Sequence, residues 1–305
     1  MTGWSRVPDP PARMMPFIVV FLPSQVPACQ IWFTQRIANG IRYNGGVKQQ
    51  TSTVPVSAVL ITRDAEKWLE TVLRPLAICD EILILDSGST DRTKKIALAS
   101  GVMWHEHPFD GYGPQKRRAV ELARHDWVLS IDADEILDEE AAEAIAAINW
   151  PSQDAKMSWA IRRCPFIGGR EIRHGHWVPD PVVRLFNRRS HTFSPAQVHE
   201  SVKPTGPVRT LPGAMAHHSY DDLAELFRAD HHQLKATEYR RVGRKIPGVF
   251  NMSARALWAF FYSLVLKRGF LDGPAGVVVA LSGAVNAVLG LALAGEDRSG
   301  GKNHP

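Results

Sequence analysis

The 305-residue chain is 45% hydrophobic and 22% charged, ordinary values for a globular protein that argue against wholesale disorder. A formal net charge of +5 suits an anionic ligand or an anionic membrane surface. Without a zinc finger, an RNA-recognition signature or a long Lys/Arg run, it does not favour nucleic acid. The three cysteines, Cys29, Cys79 and Cys164, are far apart and odd in number, which excludes a disulfide framework and a CxxC zinc pair and points to thiols in a reducing compartment.

Residues 1–53 differ from the rest of the chain. They are rich in proline, and their apolar stretch at 17–22 is cut short by Pro23, which makes a poor signal sequence. Asn44-Gly45-Gly46 and the polar run at 49–53 read as a linker, so a poorly ordered N-terminal extension is expected. An ordered domain is expected over 54–220. Residues 56–61 (VSAVLI) form a β-branched apolar run, hence a buried strand, and Trp68, Leu69, Val72, Leu73 and Leu76 then recur at helical spacing. A second strand is expected at 81–85 (EILIL), a helix at 93–100, a third strand at 103–107, a helix at 116–124, a fourth strand at 127–131 (WVLSI) and an Ala-rich helix at 139–148. This alternation calls for an α/β fold whose mostly parallel central sheet has helices on both faces. Ligands of such sheets sit beyond the carboxyl ends of the strands, which directs attention to DSGSTD (86–91) and DADE (132–135).

Asp132 and Asp134 flank one small residue directly after a strand. If extended, residues i and i+2 point the same way, so both carboxylates can face one point. Two hard oxygen ligands with coordination positions to spare suit Mg²⁺ or Mn²⁺ bound jointly with a diphosphate, whose charge the metal neutralises as it leaves. The competing reading is that one of these aspartates merely caps the helix near Glu139. Asp86 ends the second strand, and the small residues after it let a ligand approach the backbone. Asp86 is therefore a candidate acceptor for a base or ribose, with Asp91 and Thr93 structural.

VSAVLITRDAEKWLE, EILILDSGSTDRT, GYGPQKRRAVELARHDWVLSIDADE and HGHWVPDPVVRLFNRR together resemble the family 2 glycosyltransferases of GT-A fold, a Rossmann-like α/β architecture. Within that family the sequence is most similar to the branch that adds a glucose-type sugar to the lipopolysaccharide core. The resemblance covers residues 56–295. It implies that Asp86 contacts the uridine of a UDP-sugar donor and that Thr62, Arg63 and Glu66 line the same pocket. Lys116 and Arg117 fall in a segment that closes over the nucleotide. Asp132 and Asp134 form the metal motif, Asp134 being the more direct ligand, and His217 completes the metal or diphosphate site. A second histidine, His218, replaces the usual aromatic residue, so the choice between the two stays open.

An inverting transfer needs a general base beside the acceptor hydroxyl. Asp180, held between Pro179 and Pro181, is favoured over Glu200. Arg184, four residues on, is expected to orient Asp180 or to hold an acceptor phosphate. Trp177 is expected to offer a sugar-stacking face in the acceptor pocket. The histidines at 174, 176, 231 and 232 lack zinc-ligand spacing. Towards the C-terminus, the apolar runs at 257–266 and 274–294 flank Lys267-Arg268 and GFLDG (269–273). The first is too short to span a bilayer and the second reaches the threshold of about 20 residues. Over 221–295 we expect helices lying on or dipping into a membrane surface, or else buried against the domain, with a polar tail at 296–305. The resemblance implies a cytoplasmic enzyme at the inner face of the cytoplasmic membrane, acting on a glycolipid or oligosaccharide acceptor. A polyprenyl-linked or exopolysaccharide acceptor, and a catalytically inactive nucleotide-sugar-binding or scaffold protein, are the alternatives.

Overall fold

The computed structural model describes residues 53–194, 200–227, 236–237, 239–240, 243 and 247–300, with side chains described as far as 295. The extension expected at 1–53 therefore lies outside the described residues except for Thr53, as do His231 and His232.

The first half of the sheet is parallel. Strand β1 (Val54–Thr62) pairs with β2 (Cys79–Asp86) on one side and β4 (Trp127–Ser130) on the other, and β3 (Met103–Glu106) pairs with β2. The intervening helices are α1 (Leu69–Leu76), α2 (Thr93–Ala99) and α3 (Tyr112–Leu122). Both sheet faces are covered: Ala58, Leu60 and Ile84 are buried on one, while Val59, Leu83, Leu85 and Val128 pack with Ala119 and Val120 of α3 and with Ala123 just after it on the other. Continuous β-branched and Leu-rich runs favour this, because covering both faces removes their apolar surface from water.

The second half is mixed. After β5 (Glu135–Leu137) and α4 (Glu139–Ala146), the strands β6 (Ser158–Ile167), β7 (Arg170–Glu171), β8 (Pro181–Asn187) and β9 (Val208–Tyr220) extend the sheet. The order is β3-β2-β1-β4-β8-β6-β9-β5, with β7 paired to β6. β8 is antiparallel to both β4 and β6, β6 and β9 are parallel, and β5 is antiparallel to β9. This places the end of β4 beside the middle of β8 and the start of β5 beside His217 near the end of β9, so the turn between β4 and β5 meets both.

The C-terminal region is helical. α5 (Val249–Phe261) continues as a π-helical turn to Leu266, so the first apolar helix is longer than the 257–266 run suggests. A 3₁₀ turn (Gly269–Asp272) leads into α6 (Pro274–Gly300), whose backbone carries the helix into the expected polar tail. GFLDG has a structural role here. Asp272 is buried and its Oδ2 accepts the backbone N–H groups of Arg173 and His174 (3.0 and 2.8 Å), while Oδ1 meets His174 Nδ1 (2.9 Å). A Cβ at Gly276 would sit 1.8 Å from the Gly269 carbonyl, so only glycine lets α6 start flush against this turn.

Candidate active site

The loops after β1 and β2 are laced together. Asp86 is buried, and its Oδ2 accepts the N–H groups of Gly88 and Ser89 (2.8 and 2.7 Å). Its Oδ1 accepts Thr62 Oγ1 (2.7 Å) and Ser89 Oγ (2.5 Å). Asp64 Oδ1 accepts Thr90 N (2.8 Å), Glu66 N donates to Asp91 Oδ2 (3.0 Å), and Glu66 Oε2 accepts both Arg92 N and Arg92 Nε (3.0 Å each). Those bonds from Arg92 hold the Glu66 carboxyl below its ordinary value. Thr62 thus bonds Asp86 and Glu66 bonds Asp91 and Arg92, which ties the two loops together, and Arg63 stands exposed beside them.

Asp132-Ala133-Asp134 forms a turn, closed by Glu135 N donating to Asp132 O (3.0 Å), and not the extended segment that the i, i+2 argument assumed. Neither aspartate caps α4; that role belongs to Asp138, which accepts Ala141 N (2.8 Å). The two carboxylates have different partners. Asp132 Oδ1 meets Lys116 Nζ (2.7 Å) and Oδ2 meets Arg184 Nη2 (2.7 Å). Burial opposes charge on Asp132, but Arg184 and Lys116 outweigh it and hold the carboxyl well below the usual carboxylate range. Asp134 is more open, with Oδ2 3.4 Å from His217 Nε2. Strand alternation along β9 turns His218 away: it is buried, stacked on Trp68 at 4.1 Å, and pushed down to about 4 by desolvation. His217 is thus the histidine beside the motif.

A chain of alternating charges leads away from the turn. Lys116 bridges Asp132 and Glu200 (2.6 Å), and Arg184 bridges Asp132 and Glu135 (2.5 Å). Arg163 lies 3.5 Å from Glu135 and donates through Nε to Asp180 Oδ2 (2.7 Å). The expected pairing of Arg184 with Asp180 is therefore corrected. Arg184 is 3% exposed and committed to Asp132 and Glu135, and Arg163 is what holds Asp180. Because α3 begins at Tyr112, Lys116 lies in its second turn, buried, with Arg117 half-buried next to it. Glu135 and Arg163 are site residues that sequence reasoning misses. Two consecutive arginines inside an otherwise apolar strand, SWAIRRCPFI, are the available signal for Arg163.

A cleft of about 450 Å³ opens beside this chain. Arg163, Asp180, Trp177, His217 and Tyr220 line it from the domain, and Ser282 and Asn286 line it from α6. Trp177 stacks on Tyr220 (5.9 Å, 14°). The cleft joins Asp180 and the His217 side of the motif in one space, while Glu200 stays behind Lys116.

Residues 57–202, which carry the laced loops, the motif turn, Lys116, Arg163, Asp180 and Glu200, match the family described as Glycosyl transferase family 2. The chain carries a family 2 glycosyltransferase domain. It is 28% identical over 254 residues to a glycosyltransferase of Rickettsia bellii, covering 79% of this chain and 86% of that one. It is 29% identical over 251 residues to the lipopolysaccharide core biosynthesis glycosyltransferase LpsC of Rhizobium meliloti, covering 77% and 90%. Among solved structures it is similar to glucosyl-3-phosphoglycerate synthase of Mycobacterium tuberculosis (22% identity, TM-score 0.41, 64% of this chain and 81% of that one). TarS of S. aureus is similar at 15% identity and TM-score 0.40, over 80% and 91%. The matched residues end before His217 and α6, so part of the cleft wall lies beyond the match.

Proposed function

We propose that this glycosyltransferase moves a hexose, glucose from UDP-glucose, onto a lipopolysaccharide core or a related envelope glycolipid, with inversion and with Mg²⁺ or Mn²⁺. The observation that carries the reading is the cleft, which sets Asp180 and His217 in one space, with His217 Nε2 3.4 Å from Asp134 Oδ2. Among the described residues no three His, Cys, Asp or Glu side chains converge as a closed metal cage. Asp134 and His217 fit an ion whose other ligands are diphosphate oxygens and water. Their 3.4 Å separation is close to the roughly 3 Å between adjacent ligands of an ion held at about 2.0–2.1 Å. When bound, the ion neutralises charge on the departing diphosphate. Lys116 and Arg184 fix Asp132 in place and hold its carboxylate charged. Asp180 takes both Arg163 bonds on Oδ2, which leaves Oδ1 to accept the proton of the attacking hydroxyl.

The relationship to LpsC and the C-terminal helices support this acceptor class. Val249–Leu266 and Pro274–Gly295 are long and apolar enough to cross a membrane. On α5, Phe250 is 85% and Trp258 60% exposed, and Phe270 and Leu271 are exposed on the adjoining turn next to Lys267 and Arg268. Burying each such side chain in lipid is worth on the order of 1.5–3 kcal/mol, and the basic pair suits anionic headgroups. We place the enzyme at the inner face of the cytoplasmic membrane on this basis. The test is turnover of UDP-glucose by the purified full chain with lipopolysaccharide from a Rhizobium meliloti strain lacking LpsC. Transfer that needs Mn²⁺ or Mg²⁺ and falls at least 100-fold in Asp134→Ala is expected. Transfer that is unchanged by EDTA and by Asp134→Ala refutes the metal assignment.

A further inference from the structure

α5 and α6 are each long and apolar enough to cross a bilayer, but the turn that joins them is fastened to the catalytic domain. Asp272 in that turn accepts the N–H groups of Arg173 and His174, and its backbone carbonyl accepts Arg170 Nη2 (2.7 Å). At the start of the turn, Lys267 O accepts Gly175 N (2.9 Å). α6 then packs on the domain. Ala275 and Val279 join Ile167, Ile172 and Leu226 in one buried cluster, and a Cβ at Gly283 would come within 2.9 Å of the His176 ring. Two successive spans would put the turn on the opposite side of the bilayer from the domain that grips it. They would also carry His176, packed near the midpoint of α6, into the hydrocarbon. Arg255, near the middle of α5 and exposed, is a further charge that a span disfavours.

The exposed side of the pair suits the plane of a bilayer instead. Phe250, Leu257, Trp258 and Phe261 are all exposed, and their spacing of i, i+7, i+8 and i+11 puts them on one face of α5. Phe270 and Leu271 on the turn, and Val277 and Leu281 on α6, are exposed as well. Positions 235–268 of the sequence hold eight Lys and Arg against a single Glu, a net +7 in a chain whose total is +5, which leaves −2 for the rest. Apolar side chains beside so concentrated a positive charge match one leaflet with anionic headgroups. We propose that α5, the turn and α6 lie in the plane of the anionic cytoplasmic leaflet and cross the membrane nowhere. α6 also lines the cleft, so the cleft is set at headgroup level, where a lipid-anchored acceptor presents its sugar. The inference deepens the membrane placement above and rests on it.

The test is the sidedness of the turn. Arg268→Cys is introduced into the full chain together with Cys29→Ala, Cys79→Ala and Cys164→Ala and expressed in a Gram-negative host. A membrane-impermeant maleimide is then added to intact spheroplasts and to inverted inner-membrane vesicles. Labelling in the vesicles, at least tenfold above that in spheroplasts, is expected. Equal or stronger labelling in spheroplasts, or none in the vesicles, overturns the in-plane arrangement. Trypsin added to spheroplasts expressing the unaltered chain is a second reading that needs no variant: cleavage after Lys267 or Arg268 overturns the proposal too, and an intact chain is expected. Recovery of the whole chain in the soluble fraction strikes the membrane placement itself and this inference with it, whereas labelling from outside on a membrane-bound chain strikes this inference alone.

Discussion

Arg184→Met tests whether the charge chain holds the second half of the sheet together. The guanidinium is 3% exposed and contacts two carboxylates, Asp132 at 2.7 Å and Glu135 at 2.5 Å, and Glu135 is fully buried. Removing one partner of a buried pair costs about 3–5 kcal/mol, because the other charge remains without compensation. The lower figure applies here, since Lys116 still reaches Asp132 and Arg163 still lies 3.5 Å from Glu135. At about 2–4 °C per kcal/mol for a domain of this size, the expected loss is about 6–12 °C in Tm. Differential scanning calorimetry on the full chain reads this directly. Adding Glu135→Gln to Arg184→Met removes the stranded charge and is expected to recover at least half of the loss. A single variant melting within 2 °C of the unaltered protein, or a double variant less stable than the single, refutes the reasoning.

Three further outcomes are expected. Asp180→Asn lowers kcat by about 100-fold or more, the usual contribution of a general base, whereas Glu200→Gln stays within about tenfold; the opposite ranking in steady-state kinetics makes Glu200 the base. Burial lowers the His176 pKa from its ordinary 6.5, so the unfolded chain binds more protons than the folded one just below that pH. His176 therefore contributes stability that is intact above pH 6.5 and declines as pH falls below it, and urea midpoints at pH 8 and pH 5.5 should differ less in His176→Gln; equal differences in the two proteins contradict this. Phe250→Asp/Trp258→Asp should reduce co-flotation of the chain with vesicles of phosphatidylethanolamine and phosphatidylglycerol (3:1) at least fivefold; unchanged flotation removes α5 from the membrane contact.

The parallel half of the sheet is readable in the sequence because β1, β2 and β4 are continuous apolar runs whose burial on both faces leaves no ambiguity of period. β6 and β8 do not read as strands because each carries arginine at positions that hydropathy assigns to the surface. Arg163 and Arg184 sit inside only because partners far along the chain neutralise them, Asp132 being 52 residues from Arg184. For the site, sequence spacing points to the motif turn and to Asp180, but it pairs Asp180 with its near neighbour Arg184, while the sheet brings Arg163 to it across the β6–β8 pairing. Asp272 poses the same difficulty. Nothing in GFLDG itself points to its partners, and its bonds to Arg173 and His174 span 99 and 98 residues.

The lacing between the β1 and β2 loops has a thermodynamic consequence. A loop whose backbone N–H groups and carboxylates already satisfy one another has lost most of its conformational freedom before any ligand arrives. Were the proposed nucleotide donor to dock there, it would meet a surface whose ordering was completed on folding, so the entropy of arranging that side would not be charged against binding.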